Sequence, residues 1–390
     1  MLGAAAEDSA ATWGTAVPRP PVAAARRVVV KLGTRVLVDD AGELARGRVA
    51  ALVATIAALR QAGREVVLVS SGAVGAGRGS LRLERAPRRP EVKGTCAAVG
   101  QGMLMAFYQQ SFHRFGVPCG QLLLGQQDLE QRGRALALRQ TLLAMVGHGV
   151  VPVINENDAV ETAAARGERA FADNDRLAAL LAAVLGADLL VLLTDVPGLY
   201  DRDPRRHAAA RLLERVEPAD GLDGVAAGGA SAVGRGGMRS KLEAALLARR
   251  SGCQTVIADG REPAALSHLL AGEPLGTWFP AAGERPPALD RWIACAARPR
   301  GTLHLDAGAV AALRGGRASL LAAGVARVDG AFERGDVVEL RGPDGALVGR
   351  ALAGSGARAC RQAVTDRGRG ATLVRRELLV LEPPMNEGPA

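Results

Sequence analysis

The chain has 390 residues, of which 48% are apolar and 23% charged, so it can bury a sizeable core; disorder is excluded, and the length suits two or three domains of about 100–200 residues. Aromatic residues make up only 3%, so that core must be built from Ala, Leu and Val, and a stacking platform for single-stranded nucleic acid is disfavoured. The net charge of +9 points to anionic partners, but of 49 basic residues only Lys31, Lys93 and Lys241 are lysine, so the excess reads as a global bias toward arginine. A lysine kept in such a background marks a place where a compact ammonium is needed and a planar guanidinium would not fit.

Residues 1–26 are rich in Ala and Pro and carry Glu7 and Asp8 where a signal peptide would have its apolar core, so they are expected to be a disordered tail on a cytoplasmic protein. From Arg27 onward, apolar runs at 28–31, 65–70, 117–124, 150–154, 188–193 and 254–258 predict buried strands. Apolar residues at three- and four-residue spacing predict helices over 46–61, 134–146, 175–185 and 238–249. The alternation through 27–279 predicts an α/β domain, a mostly parallel sheet sandwiched by helices, with ligands beyond the carboxyl ends of the strands. The most apolar stretch, 178–193, is interrupted by Asp188 and is too short for a membrane span.

Pro280, Pro286, Pro287 and Pro299 mark residues 280–299 as a linker. A small β-rich domain is expected over 300–378, with strands at 336–340 and 346–352 joined by a turn at Asp344-Gly345. Residues 379–390 read as a loose tail. The five cysteines, Cys96, Cys119, Cys253, Cys295 and Cys360, are odd in number and lack CxxC spacing, which argues against both a disulfide framework and a zinc site.

Chemistry concentrates where strands stop. Lys31-Leu32-Gly33-Thr34 follows the first strand, either as a solvated strand end or as a cation directed at a transferring phosphoryl group. The segment from Ser70 to Gly77 holds three glycines, suited to a close approach of backbone to an anion or to a simple tight turn; it matches neither a P-loop nor a dinucleotide fingerprint. A third glycine-rich run, 228–237, leads into Lys241 at the head of a helix, where a cation is unfavourable beside the dipole unless an anion accompanies it.

Asn155-Glu156-Asn157-Asp158, Asp173-Asn174-Asp175 and Thr194-Asp195 gather amides and carboxylates in the same way. Asp173 or Asn174 could cap a helix, but capping does not explain the whole set. Carboxylates and amides together can hold the ammonium and carboxylate of an amino acid, and a remaining carboxylate can hold Mg²⁺ or orient lysines. The five histidines lie outside these clusters, and no Ser-His or Cys-His nucleophile is evident. Phosphoryl transfer onto a carboxylate needs none, since that nucleophile is already ionised at neutral pH.

Val30-Lys31-Leu32-Gly33-Thr34, Ser71-Gly72-Ala73, the run from Pro152 to Asp158, Asp173-Asn174-Asp175, Leu193-Thr194-Asp195 and Gly236 to Lys241 resemble, in order, the glutamate 5-kinases of the amino acid kinase family; residues 300–372 resemble their PUA domain. The resemblance implies ATP-dependent phosphorylation of the L-glutamate side-chain carboxylate, the first step of proline biosynthesis. By matching positions, Lys31 and Lys241 would stabilise the transferring phosphoryl group and Asp175 would organise the catalytic centre and place Mg²⁺. Thr194, Asp195, Arg235, Gly236, Gly237, Met238, Arg239, Ser240, Lys241 and Lys31 would contact ATP. Ser71, Asn155, Asp158, Asp173 and Asn174 would hold glutamate. The family also implies feedback inhibition by proline and a homo-oligomer, dimer or tetramer.

Several residues depart from the family pattern. Arg235 stands where threonine is usual, Arg239 where a small residue is usual, Ala172 in place of glycine, and Arg176 in place of a small or polar residue. Arg239 is expected to face solvent. Two other readings accompany the resemblance: another amino acid kinase acting on N-acetylglutamate or aspartate, and RNA binding by the PUA-like segment as a lesser, second activity.

Overall fold

The structure, a computed structural model, describes residues 19–39, 43–160, 174–204, 206–217, 237–262, 264–316, 318–366 and 370–382. The first body opens with α1 (Pro20–Ala23), β1 (Arg27–Leu32), α2 (Thr34–Leu37), α3 (Arg46–Gln61), β2 (Glu65–Ser70), α4 (Ala73–Ser80) and α5 (Pro90–His113). It continues through β3 (Cys119–Leu124), α6 (Gln126–Glu130), α7 (Arg132–Gly147), β4 (Val151–Glu156), α8 (Asn174–Leu185) and β5 (Leu189–Thr194). It closes with α9 (Gly237–Arg250), β6 (Gln254–Asp259), α10 (Ala265–Leu270), β7 (Thr277–Phe279), α11 (Ala288–Arg291) and a π-helical turn, Trp292–Ala296.

Among the described residues the seven strands form one sheet in the order β3-β4-β2-β1-β5-β6-β7. All neighbours are parallel except β7, which runs antiparallel to β6. Alternation along each strand divides the core in two. Val28, Val30 and Leu32 of β1 join α3 and α5 on one face, while Val29 joins α7, α8 and α9 on the other. Leu177 through Leu185 of α8 are buried on every side, as an all-round apolar helix requires. Among the described residues no helix is long and apolar enough to cross a membrane.

The six parallel strands fall within two residues of the runs read from the sequence, and 65–70 and 46–61 coincide with β2 and α3, while the antiparallel edge strand β7 lies outside those runs. The first 18 residues of the expected disordered tail lie outside the described residues, but residues 19–26 are built into the fold. The Arg19 guanidinium is buried and donates to the carbonyls of Glu214, Leu275 and Gly276.

The expected linker, 280–299, is likewise packed. Buried Arg291 donates to Ala183 O at 2.7 Å, and the Trp292 indole N–H donates to Leu129 O at 2.9 Å. The second body continues with β8 (Gly301–Leu305), α12 (Ala307–Arg314), β9 (Leu320–Leu321), β10 (Val325–Gly330), β11 (Val337–Arg341), β12 (Leu347–Leu352), α13 (Ala357–Thr365), β13 (Thr372–Val374) and β14 (Leu379–Leu381).

A five-stranded sheet, β10-β8-β11-β12-β14, stands beside a two-stranded one, β13-β9, among the described residues. The β11–β12 hairpin turns at Asp344-Gly345, where Gly345 takes a left-handed φ of +78° and Asp344 Oδ1 accepts from Ala346 N at 2.9 Å. Residues 379–381, expected in the tail, pair with β12 instead. Val337 and Leu352 share a hydrophobic cluster with Trp292 and Ile293, which joins the two bodies.

Candidate active site

The carboxyl ends of β1, β2, β4 and β5 lie side by side at the centre of the sheet, and the functional side chains gather there. Lys31 is the penultimate residue of β1. The chain then passes so close to β5 that Gly33 N donates to Leu193 O at 2.9 Å, and a Cβ on Gly33 would stand 3.2 Å from that carbonyl and 3.9 Å from Lys31 Nζ.

Asp175 enters from the first turn of α8 and Lys241 from the fifth position of α9, one turn in from Gly237. Lys31 Nζ lies 2.6 Å from Asp175 Oδ1, and Lys241 Nζ lies 3.0 Å from Asp175 Oδ2, with side-chain exposures of 7%, 2% and 11% for Lys31, Asp175 and Lys241. Burial by itself would raise the Asp175 carboxyl, but the two ammonium groups outweigh it and hold the pKa below the ordinary carboxylate value. Asp175 is thus the anion that makes a lysine acceptable at the head of α9; Lys241 also donates to Gly237 O at 3.0 Å.

Beside this triad lies an amide cluster. The Asn174 side-chain amide donates toward Asn155 Oδ1 at 2.8 Å, Ser71 Oγ at 3.0 Å and Ser70 O at 3.1 Å. Asn155 in turn donates to Gln101 Oε1 at 2.9 Å, and its Oδ1 also accepts from Glu156 N. Asn174 Oδ1 is buried without a hydrogen-bond donor among the described residues, an acceptor that a ligand N–H would satisfy. Ser70 is held from behind by the buried Tyr108, 2.9 Å between hydroxyl oxygens, and burial raises the Tyr108 phenol well above its ordinary value.

The glycine-rich segment after β2 is mainly helix. Gly72 takes φ +88° to turn into α4, and a Cβ on Gly77 would stand 1.8 Å from Cys96 O on α5. Gly77 therefore serves helix packing, while Ser71 remains at the site.

Thr194 donates to Asp195 Oδ1 at 3.2 Å, and Arg35 donates to Asp195 Oδ2 at 2.8 Å. Burial would raise the Asp195 carboxyl, but the Arg35 hydrogen bond leads the contacts that lower it below the ordinary value. Met238 is buried, Ser240 half-buried and Gly237 exposed. Arg239 is exposed and paired with Glu243 at 2.9 Å, as expected for a solvent-facing residue. Asp173, Arg235, Gly236 and Ala172 lie outside the described residues. Asp158 stands three residues beyond Asn155 and is paired with Lys93 at 3.0 Å.

Gln101, Tyr108 and Arg35 were not singled out from the sequence, where nothing distinguishes them from other surface or core residues. The rarity of lysine did single out Lys93, without placing it.

The residues match known proteins along their length. The model of the amino acid kinase family matches residues 26–259, and that of the PUA domain matches residues 301–375. The chain belongs to the amino acid kinase family. Within that family it is 48% identical over 335 residues to a glutamate 5-kinase of Stutzerimonas stutzeri (strain A1501), covering 86% of this chain and 89% of the relative. It is 44% identical over 335 residues to a glutamate 5-kinase of Marinomonas sp. (strain MWYL1), covering 86% and 88%. A third, from Nitrobacter winogradskyi (strain ATCC 25391 / DSM 10237 / CIP 104748 / NCIMB 11846 / Nb-255), is 45% identical over 337 residues, covering 86% and 87%.

For an amino acid kinase the disposition of Asp175 bears on the metal. Both its oxygens face ammonium groups, and no group of three or more His, Cys, Asp or Glu side chains is arranged to hold a metal among the described residues. This carboxylate fits the role of fixing two cations better than that of a metal ligand.

Proposed function

We propose that this amino acid kinase transfers the γ-phosphoryl group of ATP to the side-chain carboxylate of L-glutamate, giving L-glutamyl 5-phosphate and ADP, the first step of proline biosynthesis. The observation that carries the reading is the buried carboxylate of Asp175 holding two ammonium groups from different elements beside the Asn174 amide cluster. The identity to glutamate 5-kinases across 86% of the chain supports glutamate as the acceptor.

The acceptor carboxylate is ionised at neutral pH and attacks without a general base. The bond from phosphorus to the β,γ-bridging oxygen breaks as the bond to the carboxylate oxygen forms; the electron pair leaves with ADP, and no proton moves. Negative charge spreads over the transferring oxygens, and the enzyme's work is to place cations against them. Lys31 and Lys241 do so on this reading, fixed in advance by Asp175, so that little reorganisation is left for the moment of transfer.

Thr194, Asp195 and the α9 entry, residues 235–241, would hold the nucleotide, with Arg35 orienting Asp195. Ser71, Asn155, Asp158, Asp173 and Asn174 would hold glutamate. Mg²⁺ would enter on the ATP phosphates and neutralise their charge, which agrees with a site whose Asp175 is already occupied by lysines.

Feedback inhibition by proline and a cytoplasmic location complete the proposal. A homo-oligomer, dimer or tetramer, is supported by the outer edge strand β3, whose Leu123 is exposed at 38%. RNA binding by the second body is a lesser reading supported by the basic charge; retention of structured RNA at low salt and its loss as salt rises would support it.

Acyl phosphate formation trapped with hydroxylamine, using the full chain with Mg²⁺ and ATP, tests the main reading. Hydroxamate formed with L-glutamate, and not with N-acetylglutamate or aspartate, is the expected result. Folded protein that binds ATP yet gives no hydroxamate with glutamate would overturn it.

A further inference from the structure

Helix α8 carries the site at one end only. Asn174 and Asp175 open it, and every residue from Leu177 to Leu185 is apolar and buried. Apolar contact is non-directional, so the packing of this stretch does little to fix the helix along its own axis. Directional bonds at the two ends do that, and the last carbonyls of a helix have no partners within it.

At the far end four guanidiniums, from three parts of the chain, meet carbonyls in and just beyond the last turn. Arg291 Nε donates to Ala183 O at 2.7 Å, Arg27 Nη1 to Leu185 O at 2.6 Å, Arg139 Nε to Val184 O at 3.2 Å and Arg285 Nη2 to Ala187 O at 3.3 Å. Like charges gather here against their mutual repulsion because the negative end of the helix dipole draws them. Arg291 is the buried one of the four, 6% exposed, and it also donates to Pro286 O. Its burial, and after that the nearby Arg285 and Arg139, lowers its pKa below the ordinary arginine value. Gly186 makes room for it: the residue takes φ +64°, and a Cβ there would stand 2.7 Å from Arg291 Nη2.

We propose that Arg291 is a positioning residue for phosphoryl transfer: held on Ala183 O, it fixes α8 along its axis and so sets where Asn174 and Asp175 stand at the other end. The inference rests on the reading of the Asp175 centre as the transfer site and adds the device that holds it. Ala183 and Asp175 are about 12 Å apart by helical rise, and a close-packed interior transmits a shift over that distance. Such a shift carries Asp175 against the two lysines it pairs with, and Asn174 against Ser71 and Asn155. Asp188, at the same end of the molecule, acts differently. It holds the start of β1, a strand already locked between β2 and β5 by ladder hydrogen bonds, whereas α8 has no ladder.

The test uses the full chain, Mg²⁺, ATP and hydroxamate formation. Wild-type turnover of L-glutamate is the control; its absence would fail the functional reading and not this inference alone. Arg291→Met keeps much of the apolar stem and removes every donor. In the folded variant kcat should fall by about ten- to a hundredfold through Asp175. The L-glutamate KM should rise by about three- to tenfold through Asn174, the worth of one neutral hydrogen bond. The ATP KM should stay in place, because Thr194 and Asp195 lie at the end of β5. Asp188→Ala, which leaves the Arg291 bonds intact, should lose stability without this kinetic split.

A double-mutant cycle gives a readout that a purely structural role would not move. In an Asn174→Ala background, Arg291→Met should add little to the L-glutamate KM, since the group it positions is gone. Gly186→Ala, which crowds the guanidinium from behind, should reproduce the split in the wild-type background. Wild-type constants in folded Arg291→Met, equal changes in both Michaelis constants, or full additivity with Asn174→Ala would overturn the proposal. If Arg291→Met does not fold, Arg291→Lys keeps the charge and loses the fork, and wild-type constants in that enzyme would overturn it.

Discussion

Lys241 Nζ lies 3.0 Å from Asp175 Oδ2 at the head of α9, where the helix dipole alone would repel a cation. The opposing charge comes from the first turn of α8, where the dipole favours an anion. Two helix N-termini thus meet at one ion pair, and the lysine is held in place before any phosphate arrives. Lys241→Ala keeps the Lys31–Asp175 pair and removes the second cation. Turnover should fall by about two to four orders of magnitude, with smaller changes in the Michaelis constants, because the contact strengthens as charge develops on the transferring group. Steady-state kinetics at saturating ATP checks this; near-normal kcat would reduce Lys241 to a structural partner of Asp175.

Asp175→Asn tests the other half of the triad. It leaves two mostly buried ammonium groups facing a neutral amide, and breaking a buried pair in this way costs about 3–5 kcal/mol. The lowered folded pKa of Asp175 gives the effect a pH signature. A depressed carboxyl pKa contributes stability that is complete above the unfolded value, ordinarily 3.8, and is lost as pH falls through the folded value. The difference in unfolding free energy between wild type and variant should therefore be steady from neutral pH to about pH 5 and shrink below about pH 4. Urea denaturation across that range measures it, and a difference that grew in acid would contradict the assigned charge state.

Much of this architecture was legible because burial writes itself into periodicity. Six apolar runs became six parallel strands, and α3 carries its buried Val49, Leu52, Val53 and Ile56 at helical spacing. Strand order was not legible, since every buried parallel strand reads alike whichever neighbour it has.

The 24-residue helix α5 was missed because it is packed on more than one side, through Gly94, Gly100 and Ala97 as well as Leu104 and Phe112, which erases a single apolar stripe. The prolines of 280–299 suggested a linker, yet Pro287 caps a short helix and places buried Arg291 and Trp292. At the site, the lysines stood out by rarity and Asn155 and Asn174 by clustering. Gln101 and Arg35 act through partners distant in sequence, and only the fold brings them there.

Asp188, at the opposite end of the sheet, separates stability from catalysis. Its Oδ2 accepts from Arg26 N at 2.9 Å and Arg27 N at 2.7 Å, and its Oδ1 pairs with Arg285. This carboxylate joins the start of β1 to the residue preceding β5. Asp188→Ala leaves those backbone donors without their charged acceptor and should lower the unfolding free energy by about 2 kcal/mol. The kinetic constants should stay at wild-type values, because the carboxyl ends of the strands hold the site. A stable but kinetically impaired variant would show that the two ends of the sheet are coupled.

Two glycines on α5 should respond to the same substitution with opposite signs. In a helix interior, Gly→Ala is favourable by about 1 kcal/mol where space permits. Gly102 is exposed with nothing within 4 Å of an added Cβ, so Gly102→Ala should stabilise by about that amount. An added Cβ on Gly100 would lie 1.8 Å from Ala73 O and 2.5 Å from Gly77 N, backbone atoms that cannot turn aside. Gly100→Ala must push α4 away from α5, and overpacking of that kind costs about 1–3 kcal/mol, enough to exceed the propensity gain. Ser71 lies just before the cap of one displaced helix and Gln101 lies in the other, so the acceptor KM should rise together with the loss of stability. Denaturant midpoints of the two variants and their glutamate titrations decide the matter: stabilisation by both would mean that α4 and α5 are free to separate without disturbing the site.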